Sequence, residues 1–220
     1  MTSSKQPGGH RPVVARPHRG RGRPLGSSAG VSALADREGL IDAAERLIRR
    51  VGPEVTMEAI AAEAGVTKPM LYRGVGHKDA VVAAVAERFV VRVNSAVEAA
   101  TVGVSGAREV LRRFIGAYLG MLVSDHNLYL FVSGGGSSDD RAPNALLMAD
   151  RSAGPIAASL AAMRIEHGRS ADVADAWAYS MIGMLHFAGL WWRRDPKLST
   201  EQLTEQLAEM LWAGLHGSPW

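Results

Sequence analysis

Apolar positions recur at helical spacing from residue 40 almost to the end of the chain, and no stretch alternates as a strand would. Leu40, Ile41, Ala44, Leu47, Ile48 and Val51 fall at i, i+3, i+4 and i+7, which predicts a helix packed on one side and ended by Gly52-Pro53. Thr56 can cap a short helix carrying Ile60, Ala61 and Ala64, Gly65 can supply a left-handed turn, and Thr67 can cap a second short helix. A long helix follows from Asp79 through Val81, Val85, Phe89 and Val93, ending before Gly103. Another spans about 107–123 with Leu111, Phe114, Ile115, Tyr118 and Leu122 on one stripe, and a shorter segment covers 127–132. Two more cover about 144–166 and 170–193, broken at Gly168. Ser199 with Gln202 reads as a capping box for a last helix bearing Leu203, Leu207, Met210, Leu211 and Leu215. The expected fold is all-α: a three-helix head with a helix-turn-helix on a larger helical body.

Composition narrows this picture. The 220 residues are 47% hydrophobic with a mean hydropathy of -0.01, which fits a soluble globular chain able to bury a substantial core. The absence of cysteine excludes disulfides, thiolate metal sites and a cysteine nucleophile. Residues 173–192 form an apolar run long enough to suggest a membrane span, but Asp175, Ser180 and His186 interrupt it. Small Ala174, Ala178 and Gly183 alternating with Trp177, Met181 and Leu185 instead suggest a helix buried by protein on most sides, as at a subunit interface.

Charge divides the chain unevenly. Residues 1–35 carry Lys5, Arg11, Arg16, Arg19, Arg21 and Arg23 and no acid, so against a whole-chain charge of +3 the remainder is net negative. This segment is rich in Gly, Pro and Ser and poor in large apolar residues, the composition of a disordered basic arm. It lacks the apolar run of a secretory signal, and the expected location is cytoplasmic. The expected division is arm 1–35, head 36–80 and body 81–220. Within the arm, Gly20-Arg21-Gly22-Arg23-Pro24 resembles the core of an AT-hook, whose arginines lie in a narrow A·T-rich minor groove. A basic tail attracted loosely to phosphate is the other reading of the same residues.

A tight turn between two short helices makes them cross steeply, so the second can enter a DNA major groove. Here the helix core Ala43-Ala44 with Leu47-Ile48 precedes Thr56, Ile60-Ala61, Gly65-Val66, Thr67, Leu71-Tyr72 and Lys78. Over residues 36–80 this set resembles the DNA-binding domain of the tetracycline-repressor (TetR) family. The pattern departs at Gly74, where the family commonly carries a histidine or another large residue. The resemblance implies phosphate contacts from Thr56, Thr67, Tyr72 and Lys78, and base contacts from Lys68, Pro69, Met70 and Arg73. It also implies a homodimer on a palindromic double-stranded DNA operator, with an effector changing the separation of the two heads.

Enzymatic chemistry finds no support. The seven histidines lack HxxxH or HExxH spacing, and no nucleophile elbow, GxGxxG or acid pair stands out, so no catalytic residue, metal or cofactor is expected. The run from Ser133 to Arg141 has glycines but neither the lysine nor the spacing of a phosphate loop. Phe89, Phe114, Tyr118, Phe131, Trp177, Met181 and His186 sit on apolar helix faces of the body and are the candidate walls of a site for a small apolar or amphipathic effector. Each taken singly is more often plain core; as a group they read as a pocket because the resemblance to the TetR family implies an effector bound there. The dimer interface is expected on the last two helices, through Ala174, Ala178, Leu185, Leu203, Leu207, Met210 and Leu211. The expected function is a ligand-responsive repressor; the alternatives are an effector-independent architectural DNA-binding protein and a helical enzyme or carrier with a vestigial head.

Overall fold

The computed structural model describes residues 1–2, 36–134 and 141–217. Among them the chain forms nine helices and no strand. The head is α1 (Arg37–Val51), α2 (Met57–Glu63) and α3 (Lys68–Gly74). The body is α4 (Lys78–Thr101), α5 (Ala107–Ser124), α6 (His126–Gly134), α7 (Arg141–Glu166), α8 (Ala174–Arg194) and α9 (Thr200–Gly217). Residues 3–35, including Arg21 and Arg23, and the glycine-containing stretch 135–140 lie outside the described residues.

Local chemistry sets the boundaries. The Thr56 hydroxyl accepts a hydrogen bond from the Ala59 amide at 3.2 Å, and Gly65 turns the chain with φ of +67°. Thr67 occupies the N-cap of α3 by backbone position only. At α9 the expected capping box is present in both directions: the Gln202 amide donates to Ser199 Oγ at 3.1 Å, and the Ser199 amide donates to Gln202 Oε1 at 2.8 Å. The long helix begins one residue before Asp79, which lies in its first turn. A turn over residues 171–173 delays α8 to Ala174. Pro155 lies inside α7, where it supplies no N–H to the helix ladder.

In the body α5 is the central element, with α4 and α9 along its sides, while α7 and α8 pair with each other. Leu111, Ile115, Leu119 and Leu122 bury the inner face of α5. Gly189 lets α8 approach this face closely, because a Cβ there would lie 2.4 Å from Leu122 Cδ2. Gly189→Ala is therefore expected to lower stability by about 1–3 kcal/mol in chemical denaturation, the range of an overpacked core. An unchanged midpoint would show that Leu122 turns aside at no cost.

The interface expectation needs correction at the level of residues. Ala174, Ala178, Leu185, Leu203 and Leu207 are all buried inside a single chain. A helix with one broad apolar stripe uses that stripe for its own core first, and these side chains face α5 and α7. Met210 is exposed and Leu211 half-buried. No helix among the described residues is long and apolar enough to cross a membrane.

Candidate nucleic-acid interface and effector cavity

The head holds α3 by its buried side. Leu71 is completely enclosed with Ile48, Ile60 and Ala61, and half-buried Val66 packs at the turn. This leaves Lys68, Pro69 and Arg73 exposed on the outer side of α3, with Met70 and Tyr72 half-buried beside them. Thr56 and Thr67 are exposed at the two helix starts, and Lys78 opens α4 half-buried. Tyr72 is fixed by an edge contact to His77 with ring centroids 5.0 Å apart. Lys68 forms an ion pair with Glu58 and lies 5.8 Å from the Tyr72 ring centre. The hydrogen bond to Glu58 holds the Lys68 ammonium above its ordinary pKa and the Glu58 carboxyl below its own. Gly74 is the last residue of α3, so a short helix of two turns carries the outer face.

Head and body are joined by an ion network. Buried Glu45 on α1 receives Arg92 of α4 at 3.0 Å and Arg49 at 3.2 Å. Arg49 also binds Asp125, at the α5–α6 junction, at 2.9 Å, and Arg92 approaches the same carboxylate at 3.5 Å. The Asn127 side-chain Nδ2 donates to the Arg49 backbone carbonyl at 2.9 Å. The sequence reads Arg49 as part of a solvated face; its carboxylate partner at Asp125 lies 76 residues away and leaves no local signal.

A cavity of about 300 Å³ opens in the body between α4, α5, α7 and α8. Phe114, Tyr118 and His186 of the expected residues line it. Phe89 and Phe131 do not; they are fully buried core side chains, with the Phe89 ring 6.1 Å from that of Tyr129. Met181 is buried away from the lining, and Trp177 instead receives the Arg164 guanidinium 4.6 Å from its ring centre. Sequence reasoning missed Val93, Met148, Ile156 and Ile182, ordinary aliphatic positions, and the polar Asn94 and Ser152. Leu146 and Phe187 are exposed where the lining meets solvent. His186 Nδ1 lies 2.8 Å from the Tyr129 hydroxyl, and burial lowers the imidazole pKa. Burial also pushes the Tyr118 phenol up to about 12. Both groups are therefore uncharged near neutrality. Among the described residues no His, Asp or Glu cluster could hold a metal ion.

The comparisons with known proteins agree with this architecture. Residues 40–85 match the family described as "Bacterial regulatory proteins, tetR family", and residues 92–219 match "Tetracyclin repressor-like, C-terminal domain". An uncharacterised HTH-type transcriptional regulator of Mycobacterium tuberculosis is 30% identical over 186 residues, covering 82% of this chain and 77% of that protein. The fold is shared with a TetR-like regulator from Rhodococcus sp. RHA1, at a TM-score of 0.58 and 24% identity over 83% of this chain and 97% of that one. It is shared also with the fatty acid degradation regulator FadR from Bacillus halodurans, at a TM-score of 0.63 and 17% identity over 80% of this chain and 93% of that one. The chain belongs to the tetR family of bacterial transcriptional regulators, DNA-binding proteins of the helix-turn-helix kind.

Proposed function

We propose that this regulator is a ligand-responsive repressor that binds a palindromic operator as a homodimer and is released by a small, largely apolar effector. The observation that carries this reading is the coexistence in one chain of an exposed α3 face and a mostly apolar cavity, in a molecule whose α1 is tied to α4 and the α5–α6 junction by the ion network at Glu45, Arg49, Arg92 and Asp125. Lys68 and Arg73 read bases, Pro69 and Met70 touch thymine methyls, and Thr56, Thr67, Tyr72 and Lys78 hold phosphates. The two subunits meet through the outward strips of α8 and α9, where Phe187, Trp191 and Met210 are exposed. The effector enters the cavity, and by favouring one arrangement of head and body it shifts the population away from the spacing that two half-sites one helical turn apart require. Footprinting the operator with and without effector tests the reading: protection that the effector abolishes supports it, and protection indifferent to every cavity ligand would make the protein an architectural DNA binder.

The basic arm adds attraction that the head does not supply, since residues 36–80 contain seven basic and eight acidic residues. Deleting residues 1–35 is expected to weaken operator binding most at low salt and to flatten the plot of log K against log salt by roughly 0.9 for each phosphate that the arm neutralises. Groove insertion by the Arg21-Gly22-Arg23 segment makes a sharper claim. Arg21→Ala with Arg23→Ala should then hurt binding on A·T-flanked operators and spare G·C-flanked ones, whose exocyclic amino groups obstruct the groove floor. Equal losses on both flanks would leave a basic tail only.

A further inference from the structure

The cavity wall has a chemistry that selects among ligands. Among the described residues no Asp, Glu, Lys or Arg lines it, so an ion entering would lose its hydration and meet no opposite charge. Most of the wall is aliphatic or aromatic. Of its polar groups, the Tyr179 hydroxyl is engaged with Asp150. His186 is held differently. Its Nδ1 faces the Tyr129 hydroxyl at 2.8 Å, and the same hydroxyl lies 3.2 Å from the His186 carbonyl oxygen. Tyr129 is itself fully buried, and its ring packs edge-on to the imidazole with centroids 5.6 Å apart. If the hydroxyl donates to Nδ1, Nε2 carries the ring proton and is a donor. If Nδ1 carries it, the hydroxyl accepts that proton's hydrogen bond and donates to the carbonyl, and Nε2 is an acceptor. In either arrangement Tyr129 fixes the ring through Nδ1, and no described residue engages Nε2.

Resting on the effector reading above, we infer that the cavity takes an uncharged, mainly apolar molecule of about ten water volumes, bearing one hydrogen-bond acceptor that pairs with His186 Nε2–H, the arrangement in which the Tyr129 hydroxyl makes its shorter contact, 2.8 Å, by donating to Nδ1. Tyr129 is the positioning residue, because it holds Nδ1 and so sets which way the imidazole points. The volume stands at the small end of ligand sites, enough for a single ring with a short chain.

The test uses the full chain and three probes of similar shape: propiophenone, a neutral ketone; propylbenzene, which has no polar atom; and 3-phenylpropanoate, an anion at pH 8. Isothermal titration at that pH is expected to give saturable binding of the two neutral probes and affinity at least about a hundredfold lower for the anion. His186→Leu should reduce the ketone-to-hydrocarbon affinity ratio at least about fivefold. Tyr129→Phe, which removes one oxygen and keeps the ring, should lower the same ratio with propylbenzene affinity nearly unchanged, a result that mere loss of packing would not give. Anion binding as tight as ketone binding, a ratio unmoved in both variants, or no saturable binding of either neutral probe overturns the inference. A mobility-shift assay separates the two readings: a neutral probe that binds and leaves the operator complex intact overturns the effector role while the ligand class stands.

Discussion

Trp191→Glu combined with Met210→Glu is expected to sediment as a folded monomer and to bind the operator about a hundredfold or more weaker. Both side chains are more than half exposed on helices whose other faces are already buried, so a charge there leaves the protomer core intact. Phe187 adds a third exposed large apolar side chain on the same pair of helices. Operator affinity falls because two linked heads bind with a high effective concentration for the second half-site, and a monomer loses that linkage. Leu207→Glu serves as the contrast. Its side chain is buried against α5 in the protomer, so the substitution should unfold the body rather than merely separate subunits. A Trp191→Glu, Met210→Glu chain that still sediments as a dimer would move the interface off α8 and α9.

The second large effect is expected in the head. Lys68→Ala with Arg73→Ala should lower operator affinity at least about a thousandfold, since each base contact in each half-site is worth about 1 kcal/mol or more. The loss should be confined to the operator positions those residues read. A loss of equal size on every sequence would instead assign both side chains to phosphates, and an unchanged affinity would remove α3 from the interface. Glu58→Ala is the informative companion: the free protein holds Lys68 against Glu58, and this carboxylate competes with DNA for the same ammonium. Removing it should tighten binding, visible as a lower midpoint in the same titration.

The two halves of the molecule differ in how openly the sequence declares them. In the head almost every element is written locally: the Thr56 cap, the Gly65 turn and the buried Leu71 all follow from spacing within a few residues. The capping box of α9 is local in the same way and equally readable. The body is legible only as far as which residues are apolar. Periodicity marks Phe89, Phe114, Phe131 and Leu185 alike, yet only the packing of α4, α5, α7 and α8 decides that Phe114 and Leu185 reach the cavity while Phe89 and Phe131 fill the core. The same ambiguity misdirects the choice of interface residues. An apolar stripe announces that a face will be covered; whether the cover comes from the same chain or from a second copy depends on partners far along the sequence. Ion pairs such as Arg49 with Asp125 are invisible for that reason too.

Pro155 gives the cavity wall a mechanical property. It stands in α7 between Ser152 and Ile156, both of which line the cavity, and because proline has no amide hydrogen the Arg151 carbonyl receives no helical hydrogen bond from it. Bending α7 at this point therefore breaks no rung of its ladder. On the proposed effector reading, this is the joint at which the wall would bow outward around a bound molecule, whereas α5, with buried leucines and an isoleucine along its inner face, forms the fixed side of the cavity.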